Sequence, residues 1–99
     1  MRYRSRAEII SDILTVARGG GISRTKVMYK SMLSFLQLKE YLSILTERGL
    51  LRYDKTTQTY GTTEKGLIFL HKYAELTELT KGIEQGRVTN RRIVSQEVN

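Results

Sequence analysis

The side chains in this sequence with most to offer chemically are cations and amides, not acids, bases or nucleophiles. Arg24, Thr25 and Lys26 follow Ser23, a residue type that caps helix starts, so these groups fall where free backbone N–H groups point outward. Lys30 lies further on, near the turn to the next helix. Cations beside a helix N-terminus suit phosphate oxygens. A few residues on, Ser34, Leu36, Gln37, Lys39, Glu40 and Ser43 open and line a second helical stretch. Gln37 can donate and accept at an adenine edge, or serve the helix start as a cap. Glu40 can accept from cytosine, or stay solvated. Leu36 can meet a thymine methyl, or pack on the neighbouring helix; Lys39 suits phosphate. Arg52, Lys55, Thr57 and Gln58 are placed to follow a nucleic-acid backbone or enter a minor groove, and Arg2 and Arg4 lie in a basic N-terminal arm.

Catalytic chemistry has little to stand on. His71 is the single histidine, beside Lys72 and Glu75, and there is no cysteine. A lone histidine with carboxylates at helical spacing is usually a solvated face, and no set of residues has metal-ligand spacing. No Ser/His/Asp group or carboxylate pair stands out. Gly19–Gly21 is neither preceded by a strand nor followed by Lys-Ser/Thr, so it is not a phosphate loop. The reading is of a non-enzyme with no cofactor, no metal and no evident small-molecule ligand.

Charge and length agree. Net charge is +7 over 99 residues, enough chain for one domain with a modest core. The first 30 residues carry seven cations against Glu8 and Asp12, a net of +5, whereas 64–84 carries three cations against four acids, a net of −1. A polyanion-facing front and a back with another task are implied. No run of 18 apolar residues exists and the N-terminus lacks an apolar signal core, so membrane insertion and secretion are not expected, and a cytoplasmic location is.

The elements that would hold these groups can be read from caps and periods. Ser5 with Glu8 forms a capping box for a helix to about Ala17, apolar at Ile9, Ile10, Ile13 and Leu14. Ser23 caps a short helix with Val27 and Met28. Ser34 with Gln37 forms another capping box, opening a helix with Phe35, Leu38, Leu42 and Leu45 on its inner face and Gly49 at its end. Two helices across so short a turn make a helix-turn-helix, with 34–48 as the helix that enters a major groove. Tyr29 and Tyr41 read as core-edge residues. Residues 50–53 and 59–62 flank a polar turn and read as a two-stranded hairpin. Thr62 or Thr63 caps the last helix, where Leu67, Ile68 and Leu70 read as core. Phe69, Tyr73, Leu76, Thr80 and Ile83 recur at 4, 3, 4 and 3, with Leu79 beside them, a heptad seam about 30 Å long from residue 64 to 83 at 1.5 Å per residue. Either it lies back on the first helix or a second copy covers it, and the second is the expectation. The divisions are then a basic arm (1–6), a winged helix-turn-helix domain (7–63), a dimerisation helix (64–85) and a flexible basic tail (86–99).

The segments KVMYKSMLSF (26–35), LKEYLSIL (38–45), ERGLL (47–51) and TEKGLIFL (63–70) resemble the small dimeric winged-helix DNA-binding proteins of archaea, the "10a" family, over residues 8–80. The triple glycine, Leu36 and the tail beyond Gly82 depart from that pattern. The resemblance implies an α+β winged helix whose last helix pairs as an antiparallel coiled coil, with two heads on double-stranded DNA. It implies a nucleoid-associated transcription regulator or chromatin protein. The competing reading is a winged-helix module that binds protein.

Overall fold

The computed structural model describes residues 3–83. Its order is α1 (Arg6–Val16), β1 (Ile22–Ser23), α2 (Arg24–Ser31), α3 (Phe35–Glu47), β2 (Leu51–Asp54), β3 (Thr59–Thr62) and α4 (Glu64–Leu79). All four helices start at hydroxyl caps. Ser5 accepts from the Glu8 N–H, Ser23 from Lys26, Ser34 from Gln37 and Thr63 from Gly66. At Ser5 and Ser34 the third helical residue returns the bond, completing both capping boxes.

The core is filled by Ile13, Leu14 and Ala17 of the first helix and its cap, Val27, Leu33, Leu51, and the α3 row Leu38, Tyr41, Leu42 and Leu45. That row follows the i, i+3, i+4, i+7 rule. Phe35, expected on the inner face, is 52% exposed, because it is the first residue of α3 and precedes the turn that enters the core. Tyr41 goes further in than a core-edge position and is buried, whereas Tyr29 is exposed.

The sheet has three strands, not the two of a simple hairpin. β1 joins β3, giving the antiparallel order β1-β3-β2, with Ile22 opposite Tyr60 and Ser23 opposite Thr59. Two residues are too few to show the period-2 alternation by which a strand is recognised. The loop before β1 needs its glycines: Gly19, Gly20 and Gly21 all have positive φ. Gly20 also lies against Gly61 of β3, leaving room for the Arg52 guanidinium and no side chain.

α4 docks only partly as expected: of Leu67, Ile68 and Leu70, only Leu70 packs on the core. Leu67 and Ile68 are exposed, while Phe69 and Leu70 pack on the core. Gly66 sets the approach, since a Cβ there would collide with the Leu50 carbonyl and the Thr62 methyl. That carbonyl accepts from the Thr63 N–H and hydroxyl at 3.1 Å each, pinning the helix start. The helix ends at Leu79, capped by Thr80, and Gly82 has a φ of 91°. Thr80 and Ile83, the last two seam positions, therefore lie past the regular helix. Arg2 and residues 84–99, including the whole of the tail expected to be flexible, lie outside the described residues.

Candidate nucleic-acid interface

The start of α2, the outer face of α3 and the β2–β3 turn are all exposed. Arg24, Thr25, Lys26 and Lys30 of α2 are all exposed. Ser23 ties down the Lys26 N–H at 3.2 Å. On α3, Leu36, Lys39, Glu40 and Ser43 are exposed. Their spacing of 0, 3, 4 and 7 gathers them on the face opposite Leu38, Leu42 and Leu45. This is the face that a helix-turn-helix turns to a major groove.

Gln37 is otherwise engaged. Its side-chain oxygen accepts from the Ser34 N–H at 3.1 Å, while its own N–H donates to the Ser34 hydroxyl at 3.2 Å. Bidentate reading of adenine would require that oxygen to leave the cap. Ser34 is likewise a cap, its hydroxyl committed to the helix start.

Two expected cations serve the fold. Arg4 donates to the Asp12 carboxylate at 2.8 Å, to the Ser31 carbonyl at 2.9 Å and to the Met32 carbonyl at 3.1 Å. It fastens the chain start to the end of α2 and is no loose arm residue. Arg52 lies over Gly20 and Gly61 and donates to the Thr62 carbonyl at 3.2 Å. Strand alternation places it on the opposite face of β2 from Tyr53. In the turn, the Asp54 carboxylate accepts from the Thr56 N–H at 2.9 Å and the Thr57 N–H at 3.4 Å. Thr57 and Thr59 share a hydroxyl bond of 2.7 Å, and Gln58 holds a left-handed φ of 57°. Lys55 is exposed at the same tip.

Sequence reasoning overlooked a cleft of about 450 Å³ between the start of α2 and the sheet, lined by Ser23, Arg24, Thr25, Tyr53, Gln58 and Tyr60. Tyr53 and Tyr60 are directly opposed across the strands with ring centroids 4.8 Å apart. Burial raises the Tyr60 phenol above its ordinary pKa, opposed by the Arg24 charge and helped by Tyr53. Tyr60 is thus a neutral hydroxyl donor at physiological pH. The two tyrosines flank the polar turn symmetrically in sequence, a signal that register would have revealed. Arg6, also passed over, sits 5.6 Å from the centre of the Tyr41 ring, a cation–π contact between α1 and α3.

The last helix differs. Phe69 and Tyr73 stack at 6.1 Å, and Phe69 is spent partly on the chain's own core. Leu76, Leu79 and Ile83 are exposed, as are Leu67 and Ile68. His71 lies 3.6 Å from Glu75, both in solvent, and among the described residues no three potential metal ligands cluster. No described helix is long and apolar enough to cross a membrane.

Known proteins match this arrangement. A family model described as winged helix-turn-helix covers residues 3–81. The chain belongs to that family. Uncharacterized protein MJ0290 of Methanocaldococcus jannaschii is 30% identical to this winged helix-turn-helix chain over 76 residues, 77% of the chain. The chain spans only 35% of that relative's length. Among solved structures, Sso10a-2, a DNA-binding protein from Sulfolobus solfataricus, matches with a TM-score of 0.70 and 24% identity. The match covers 82% of this chain and 86% of Sso10a-2. The sequence resemblance to small archaeal winged-helix proteins is borne out by the family model and the Sso10a-2 fold.

Proposed function

We propose that this winged helix-turn-helix protein binds double-stranded DNA as a homodimer, in transcription regulation or genome packaging at the nucleoid. The observation that carries the reading is the exposed surface of α2 and α3, where Arg24 and Lys26 stand at a helix start and Lys30 and Lys39 further along, with Glu40 and the distant Glu47 as the acids of those helices. Phosphates meet Arg24, Thr25, Lys26 and Lys30; the groove receives Leu36, Lys39, Glu40 and Ser43; Lys55 and the 54–59 turn reach the adjacent backbone. The description of Sso10a-2 as a DNA-binding protein supports the same assignment.

The dimer is supported by Leu76, Leu79 and Ile83, an apolar stripe on the last helix and just beyond it that the described residues leave exposed. A second copy laid on α4 would hold two heads on one duplex. Exposed apolar area of this kind marks an interaction surface.

A salt titration tests the proposal. Binding should weaken steeply with salt on any duplex, as counterions are released. Replacing Arg24 and Lys26 together by Ala should weaken binding to all duplexes alike. It should also make the log–log slope shallower by about one to two, roughly one for each phosphate no longer neutralised. An unchanged slope removes both residues from the phosphate set, and binding indifferent to salt removes the proposal. Comparing random with selected duplexes in the same titration separates phosphate attraction from sequence reading.

A further inference from the structure

The tip of the helix-turn-helix is apolar. Met32 is 81% exposed and Leu36 74%, and neither joins the core or the residues packed against it. Leu36 is not scattered surface. It lies on the α3 face shared by Lys39, Glu40 and Ser43, diametrically away from the buried row, so any groove that receives α3 receives Leu36 near its N-terminal end.

Met32 adds an independent sign. It caps α2 with a φ of 56°, in the left-handed region that glycine enters freely and a long side chain enters at a cost. The fold uses its backbone: the N–H bonds back to the Tyr29 carbonyl at 3.3 Å, and the carbonyl accepts from Arg4. Among the described residues the side chain gains little burial to offset the strain. A glycine would meet the backbone's needs at this turn, which leaves the exposed thioether arm free for a contact outside the chain.

The surroundings say what that is. The charges on α2 and the first half of α3 are Arg24, Lys26, Lys30 and Lys39 against Glu40. An apolar tip set among cations matches a groove with phosphate walls and methyl groups on its floor. In the major groove the thymine C5-methyl is the apolar group that a base edge presents.

We infer that Met32 and Leu36 pack on thymine methyl groups in the major groove and bias this protein toward A·T-rich duplex. The inference rests on the DNA-binding reading above and names the base feature that reading leaves open.

The test compares alternating poly(dA-dT) with alternating poly(dA-dU), duplexes of equal charge and pairing that differ in the thymine methyl. Wild-type affinity should be lower on the uracil polymer by about fourfold for each methyl covered, the worth of one buried carbon. Met32→Gly and Leu36→Ala should each shrink the difference, and the double variant should abolish it. Met32→Gly should also melt no lower than wild type, showing that the lost discrimination is not lost fold. Equal wild-type binding to both polymers, with steep salt dependence intact, overturns this inference and leaves DNA binding standing. A difference that survives in the double variant overturns it too. Failure to bind either polymer at low salt overturns the DNA reading itself.

Discussion

Helix α3 buries Leu38, Tyr41, Leu42 and Leu45 within 13 residues, whereas α4 buries Gly66 alone within 16. Both carry regular apolar spacing, so pattern does not separate them. Position does. α3 runs through the middle of a domain with room for one core, and its inner face belongs to the same buried cluster as α1, α2 and β2. α4 arrives last, docks along Gly66, Phe69 and Leu70, and keeps Leu67, Ile68, Leu76 and Leu79 in solvent. The same period means core in one helix and exposed apolar surface in the other, depending on how much body is left to cover it.

The sharpest way to break this contrast is Leu76→Lys. A charge in the centre of the seam would be buried unpaired by a second copy, which disfavours pairing strongly. Because Leu76 is 57% exposed in the single chain, the variant should stay folded and sediment as a monomer. DNA affinity should fall by roughly 10²–10⁴, since the second head no longer binds intramolecularly. If the variant unfolds, Leu76 belongs to its own chain's core and the contrast fails. A wild type that sediments as a monomer at high micromolar concentration removes the dimer outright.

Gly66→Ala probes the part of α4 that does dock. In an ordinary helix the change would favour helix formation by about 1 kcal/mol. Here the new methyl meets the Leu50 carbonyl, which is backbone held by two bonds from Thr63 and unable to step aside. Overpacking of this kind costs about 1–3 kcal/mol, so a net loss of stability is expected in a denaturant titration. A gain would show that α4 stands off the body more than its packing implies.

How far the sequence could be read follows from the range of the physics involved. Helix starts were legible, because a cap is a local bond between residues three apart: Ser5–Glu8, Ser23–Lys26, Ser34–Gln37 and Thr63–Gly66 all form. Strand β3 was legible through its Thr and Tyr content. β1 was not, since its two residues are a strand only because Thr59 and Tyr60 lie beside them. The phase of α4 was hidden for a similar reason. Four successive apolar residues, Leu67 to Leu70, point around the whole helix, and only the site of the body shows that Phe69 and Leu70 are inward. Arg4 and Arg52 looked like spare charge because their partners, Asp12, Ser31 and Met32 for one and Gly20 and Thr62 for the other, are distant in sequence or backbone. The outward row Leu36, Lys39, Glu40 and Ser43 needed only helical geometry once the inner row was known.

The smallest expected effect falls on Gln37, the residue that connects the folded body to the groove face. Its side-chain oxygen completes the α3 capping box, and one such interaction is worth about 0.5–1.5 kcal/mol. Gln37→Ala should therefore lower the melting temperature by a few degrees, as a domain of this size shifts about 4–8 °C per kcal/mol. Alanine also favours helix slightly over glutamine, which trims the loss without reversing it. Base preference in a selected duplex should be unchanged, because the amide oxygen is held at Ser34 and a bidentate contact with adenine would have to break the cap to form. Glutamate at the same position would keep the oxygen acceptor, add a negative charge to the helix start where the dipole favours it, and restore the melting temperature. It would also weaken DNA binding by repelling phosphate. The opposite pattern, an unmoved melting temperature with relaxed preference at one base pair, would make Gln37 a reader that exchanges its cap for adenine on binding. The outward row on α3 would then extend from Leu36 around to Gln37.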